Sequence, residues 1–242
     1  MSGHSKWATI KRKKAATDSA RGKVFTKIIK EITISARDGG GDPVGNPRLR
    51  LAIQSAKSSN MPQDNITRAI KKGTGELEGV HYEEINYEAY APHAIAVMIE
   101  CVTDNRNRTV AELRHLISKH NGNLGESGSV AWMFDKKGVI SIEKGNHTED
   151  DVMEIILDAG ADDLKDEDNF FEIITSVEFF EKVRKALEEK SYKIENASLQ
   201  FVAKDLIAID EKGAADVIKL LEAIEEHDDV QNVYTNADFP KS

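Results

Sequence analysis

Apolar positions in the first eighty residues recur at helical spacing. Val24, Phe25, Ile28, Ile29 and Ile32 share one face, with Lys23, Lys27, Lys30 and Glu31 on the outer positions. This predicts an amphipathic helix from Asp18 or Ser19, which Gly39-Gly40-Gly41 cannot continue. Asn46-Pro47 opens a second helix as cap and first helical residue, with Leu49, Ala52, Ile53 and Ala56 inside and Arg48, Arg50 and Lys57 largely outside. A third begins near 60–62, buries Ile66, Ala69 and Ile70, and stops at Gly73. Each helix has one narrow apolar face, so the three are stable only when packed on one another. Their linkers, GGGDPVG and SSNMP, are longer than the tight turn of a helix-turn-helix.

Past residue 80 the pattern turns β-rich. Residues 83–90 and 94–103 read as two strands joined at Ala91-Pro92-His93, followed by a helix from Thr109 to Lys119 and a strand over 129–134 (SVAWMF). A second unit then starts. It has a strand at 138–143, a helix capped by Thr148 with Asp151 three positions on, a short edge near Asp163-Leu164, a strand at 169–175, a helix from Val177 to Lys190 and a strand at 196–203. That order is βαββαβ, the split βαβ of ferredoxin-like folds. A helix over Ala214–Glu226 and a strand over Val230–Thr235 complete the earlier β-β-α-β layer. The expected class is α+β: an N-terminal three-helix bundle followed by two ferredoxin-like α+β domains, one inserted in the other. The expected boundaries are 1–80 for arm and bundle, 81–135 with 206–242 for a discontinuous domain, and 136–205 for the insertion.

Charge changes this picture. The 242-residue chain carries a net −9, yet residues 1–30 hold nine basic residues against Asp18 alone. Residues 1–80 contain 16 Lys/Arg and 7 Asp/Glu, and residues 81–242 the remaining 17 and 35, so a head of +9 sits on a body of −18. Residues 1–17 show no apolar period and form a basic arm. Such a layout suits a polyanion partner, held by Lys6, Lys11, Arg12, Lys13, Lys14, Arg21, Lys23 and Lys27 on phosphates. Trp7 in the arm is either a base-stacking ring or an ordinary exposed residue. A charge run is also the ordinary make-up of a solvated face, and KRKK resembles a nuclear import signal.

Other chemistry is weakly signalled. No His pair has H-x-x-x-H spacing, KKGTG lacks the residue order of a phosphate loop, and the acidic runs at 162–168 and 225–229 lack calcium-loop alternation and read as solvated. The lone Cys101 lies in an apolar run and reads as core, in a chain with no disulfide framework. No apolar run approaches the length of a membrane span. The expectation is a non-enzymatic, cytoplasmic protein without cofactor or metal. One loop on the acidic body, Asp104-Asn105-Arg106-Asn107-Arg108, offers Arg106 and Arg108 either as phosphate ligands or as exposed ends of a helix-capping loop.

GHSKWATIKRKK (3–14), NPRLRLAIQSAKSSNMPQDNI (46–66), TDNRNRTV (103–110) and GNLGESGSVAWMF (122–134) make the sequence resemble the YebC/PmpR family along its full length. These are the bacterial relatives of the mitochondrial translational activator of cytochrome oxidase subunit I. Ala89 and Ala91 in YEAYAP depart from the glycines usual there. The resemblance implies a helical domain followed by two α+β domains. It also implies a DNA-binding transcriptional regulator, or alternatively a ribosome-associated, ribosomal-RNA-binding factor that helps translate difficult sequences such as proline runs. The expected partner is therefore duplex DNA or ribosomal RNA, with the ribosome as a further one. No membrane is involved, and the expected state is a monomer or weak oligomer. Arg48 and Arg50 on the bundle face, with Arg106 and Arg108, complete the candidate contact set.

Overall fold

A computed structural model describes residues 18–167 and 169–240, without the side chains of residues 18–21. In chain order the elements are α1 (Asp18–Gly39), α2 (Pro47–Ser58), α3 (Gln63–Gly73), β1 (Glu83–Ala91), β2 (Ile95–Thr103), α4 (Arg106–Lys119), β3 (Asn123–Leu124) and β4 (Phe134–Glu143). Then follow α5 (Glu149–Ala159), β5 (Ala161–Asp166), β6 (Phe170–Thr175), α6 (Phe180–Glu189), β7 (Ile194–Ala203), β8 (Ile207–Ala208), α7 (Glu211–Glu225), β9 (Val230–Thr235) and β10 (Ala237–Asp238). The architecture is α+β. Two compact units result, one formed by Phe134–Lys204 and the other by the chain on both sides of it.

In the bundle, Ile32 and Ala36 of α1 meet Leu49, Ala52 and Ala56 of α2 and Ile66 and Ala69 of α3. Asn46 does more than cap α2. Its Oδ1 accepts from the Leu49 N–H at 3.0 Å while its amide donates to the carbonyls of Ser35 and Gly40, tying the end of one helix to the start of the next. Gly73 lies so close to α1 that a Cβ there would sit 2.3 Å from the Thr33 carbonyl oxygen.

The same unit contains an antiparallel sheet of order β3-β1-β2-β9. Alternate residues of its strands (Ala89, Ala91, Val97, Ile99, Cys101) form a core with Leu113 and Ile117 of α4 and Val217, Leu220, Leu221 and Ile224 of α7. Ala89 and Ala91, where the resemblance implied glycines, are core positions of β1, and the turn strain lies further on. His93 and Ala94 in the β1–β2 connection have φ of 65° and 58°. A side chain there costs about 1 kcal/mol relative to glycine. Ala94→Gly should raise stability by about that amount, read as a higher denaturant midpoint at unchanged slope.

The unit Phe134–Lys204 is a second antiparallel sheet, of order β5-β6-β4-β7, with the βαββαβ succession. The α5 start is a full capping box, Thr148 and Asp151 bonding each other's backbone. Phe134 pairs with Ala203, so the two ends of this unit lie side by side.

Three expectations give way. Residues 129–134 are not a strand: Ala131–Met133 is a 3-10 turn, Phe134 already belongs to β4, and the third strand of the first sheet is Asn123–Leu124. The apolar run there serves a turn because backbone groups of the preceding residues bond a side chain, described below. Helices α4 and α7 begin three residues earlier than their apolar period because Asn105 and Asp210 cap them through Arg108 N–H and Gly213 N–H. The pairing of β8 with β10 is too short to leave a periodic signal.

Candidate nucleic-acid interface

The candidate contact residues and the other cations of the bundle fall into three groups. Lys6, Trp7, Lys11, Arg12, Lys13, Lys14 and the side chain of Arg21 lie outside the described residues. A second group is engaged within the fold. Lys23, Lys27, Lys30 and Ile34 form one stripe of α1, at i, i+4, i+7 and i+11, and this stripe faces protein. The Lys23 Nζ donates to the Glu226 carbonyl at 3.0 Å, Lys27 to that of Glu225 at 2.8 Å and Lys30 to that of Asp228 at 2.8 Å. The three ammonium groups therefore sit at the C-terminal end of α7, whose last carbonyls lack helical partners and carry the negative end of the dipole. Lys30, expected to point outward, is only 6% exposed. A lysine stem is apolar enough to line an interface, so helical periodicity alone does not separate this stripe from a wet face.

Arg48 is held between Glu31 (2.7 Å) and Glu84, and Arg50 donates to the Pro43 carbonyl at 3.1 Å. Burial disfavours the charged Arg48, but its bonds to the two carboxylates outweigh this and raise its pKa well above the usual value. In the loop after β2, Arg108 bridges Asp104 and Asp229, both at 2.8 Å, while Asn105 caps α4. The capping reading thus describes Arg108. Arg106 differs: its side chain is 61% exposed and stands 3.9 Å from Glu83.

Asp229, part of an acidic run expected to be solvated, is 4% exposed and is the hub of this region. Its Oδ1 meets Lys30 at 2.8 Å, and its Oδ2 accepts from Arg108 and Thr109 at 2.8 Å and from Thr103 at 3.2 Å. Burial alone would raise its pKa, but the bonds from Arg108, Lys30 and Thr109 outweigh it and hold the carboxyl well below the ordinary range. His227 completes the turn, accepting the Asp229 N–H at Nδ1, which leaves its Nε2 proton for Glu112.

The third group is exposed and free. Lys57, Arg68, Lys71 and Lys72 of α2 and α3 are exposed and have no ion-pair partner among the described residues. Sequence reasoning placed Lys57 on the outer side of its helix but kept none of the four as a ligand.

A further element was missed. Glu88 is buried, and its carboxylate accepts the N–H groups of Gly128 (2.6 Å), Val130 (2.6 Å) and Ala131 (2.8 Å). Burial would raise this carboxyl, but the three backbone donors outweigh it and lower its pKa, keeping it ionised. The loop so bound carries Trp132, 65% exposed. The signal was present as a Gly-Glu-Ser-Gly-Ser run just before the tryptophan.

Catalytic chemistry finds little support. Burial, with Asp229 nearby, pushes the Cys101 thiol up to about 12, far from a nucleophile. Among the described residues no group of three or more His, Cys, Asp or Glu is placed to hold a metal ion, and no helix is long and apolar enough to cross a membrane.

Comparison with known proteins places this geometry. Residues 5–76 match the model of the TACO1/YebC protein N-terminal domain, and residues 82–237 that of the TACO1/YebC second and third domain. A protein of Chlorobium chlorochromatii named probable transcriptional regulatory protein is 57% identical over 243 residues, covering 100% of this chain and 97% of the relative. One of Desulfosudis oleivorans with the same name is 56% identical over 242 residues, covering 100% and 98%. The crystal structure of a conserved hypothetical protein from Aquifex aeolicus superposes with a TM-score of 0.87 at 46% identity, covering 95% of each chain. With both family models matched and such relatives along its whole length, the chain belongs to the TACO1/YebC family.

Proposed function

We propose that this protein is a non-enzymatic, nucleic-acid-binding regulator of gene expression that acts in the cytoplasm as a monomer or weak oligomer. Its basic arm and the outer face of its bundle grip phosphates. The observation that carries this reading is the set of exposed cations without counter-ions among the described residues, Lys57, Arg68, Lys71 and Lys72, on the bundle that follows the arm. On an otherwise acidic chain such charges are retained where a polyanion is met. The names of the relatives agree with a regulatory role. Within the predicted set, Lys6, Lys11, Arg12, Lys13, Lys14 and Arg21 act on phosphates, Trp7 stacks, and Arg106 is an outlying contact. Lys23, Lys27, Arg48, Arg50 and Arg108 serve first to hold the fold together.

Duplex DNA and ribosomal RNA both satisfy this charge layout. The RNA reading, a ribosome-associated translation factor, is favoured by the exposed Trp132, because splayed bases of RNA loops stack on aromatic rings.

Salt titration of binding tests the proposal. Deleting residues 2–14 removes five cations, Lys6, Lys11, Arg12, Lys13 and Lys14. The slope of log K against log salt should then flatten by about four. Replacing Lys57, Arg68, Lys71 and Lys72 together by alanine should flatten it by about three. Lys27→Ala should lower stability and leave the slope nearly unchanged. An unaltered slope in both the deletion and the quadruple variant would sink the proposal. Crosslinking in cells, with sequencing of recovered DNA and RNA, separates promoter binding from ribosomal-RNA binding.

A further inference from the structure

The loop between β3 and β4 is built around a charge that the phosphate-binding reading does not use. Placing the Glu88 carboxylate in the interior is unfavourable, and its three backbone donors offset this. What those bonds achieve is a fixed path for residues 128–131. Gly128 takes φ of +88°, open to glycine, and the turn Ala131–Met133 follows directly. Trp132 is then pinned a second time, its indole N–H donating to the Ser129 carbonyl at 3.1 Å, a carbonyl that also accepts from the Tyr90 hydroxyl at 2.9 Å. The ring is therefore held by its polar edge and remains 65% exposed.

Tryptophan is highly buried on average, so a fixed and exposed one calls for a partner. Protein partners usually bury a wide apolar patch with such a ring at its centre. Here the immediate neighbours Ala131 and Met133 are apolar but half-buried, and the exposed residues earlier in the loop, Glu126, Ser127 and Gly128, are not apolar. A single flat ring in a polar loop matches one flat ligand, and every nucleobase has such a face once it is out of a duplex.

We propose that Trp132 is a stacking platform for an unpaired nucleobase, with Glu88 as its positioning residue. This rests on the nucleic-acid reading above and deepens it, since an intact duplex offers no free base face along its length. The ligand is single-stranded, and RNA and DNA strands share the chemistry.

Three fluorescein-labelled probes decide the matter by anisotropy with the full chain: oligouridylate and oligothymidylate of roughly twelve nucleotides, and a duplex of the same length. Trp132→Ala should weaken binding to at least one single strand by about tenfold or more and leave duplex binding unchanged, while Trp132→Phe recovers most of the loss. The strand that loses more identifies the source as RNA or DNA. Because the sequence holds two tryptophans, Trp7→Phe leaves Trp132 as the sole indole emitter. Its emission should be quenched at saturating single strand, and Glu88→Gln should lower its fluorescence anisotropy by freeing the loop. Equal affinities of wild type and Trp132→Ala for both single strands, or an equal loss on the duplex, would overturn the assignment and leave the ring to a protein partner. So would unquenched emission in a complex that forms. If the wild-type chain bound none of the three probes, the nucleic-acid reading itself would fall, and this inference with it.

Discussion

Asp229→Ala will destabilise the unit that holds the bundle and the first sheet by about 3–5 kcal/mol. The variant leaves the Lys30 ammonium buried without its carboxylate, and removes an acceptor from Arg108, Thr109 and Thr103. The wild-type pair need not itself be strongly stabilising. The penalty comes from stranding one charge in a site where water does not reach. Calorimetry should show the corresponding transition lower by roughly 10 °C. Pairing Asp229→Leu with Lys30→Met should cost less than the sum of the single variants, because the double change removes both charges.

The pH dependence follows from the sign of the shift. The folded-state pKa of Asp229 is depressed, so the group adds stability above its unfolded value of about 3.9, and that contribution is lost as pH falls further toward the folded value. The gap between wild type and Asp229→Asn should stay constant near neutrality and close only below about pH 4. A gap unchanged down to pH 2.5 or so would mean that the charge on Asp229 is not what stabilises the hub.

The second large effect is expected at Gly73, where a side chain would meet the Thr33 carbonyl oxygen at 2.3 Å and the Ala36 methyl at 2.8 Å. A backbone oxygen cannot swing aside, so Gly73→Val must push α3 off α1 at a cost of about 3 kcal/mol. Loss of helical circular dichroism at a lower denaturant midpoint would report it. Gly22 is the internal control: it sits in α1 with nothing within 4 Å of the added Cβ. Gly22→Ala should instead stabilise the helix by up to about 1 kcal/mol. Similar losses at both positions would mean that close helix approach is not what makes Gly73 sensitive.

The helices and the inserted βαββαβ unit were readable because each has one buried stripe and a local start signal, such as Asn46-Pro47 or the Thr148–Asp151 box. What escaped the reading has a common cause in partners distant along the chain. Lys30 reads as a wet lysine until Asp229 is brought to it, and Asp229 reads as part of an acidic surface until Lys30 and Arg108 arrive. The strand expected over 129–134 failed for the same reason. Its amides bond Glu88, some forty positions earlier, rather than a neighbouring strand. The arm's charge density was plain in the sequence. Which of the following cations stay available to a ligand was settled by ion pairs that no spacing rule encodes.

The side-by-side ends of the Phe134–Lys204 unit carry a consequence for how such a chain can change over time. Because Phe134 and Ala203 are paired neighbours, the chain enters and leaves this unit at nearly one point. A cassette attached this way can be lengthened, exchanged or trimmed without rethreading the strands on either side of it. Natural variation between relatives should therefore be freer inside this cassette than across its junction, and a graft of a foreign module is best spliced between Met133 and Asp205.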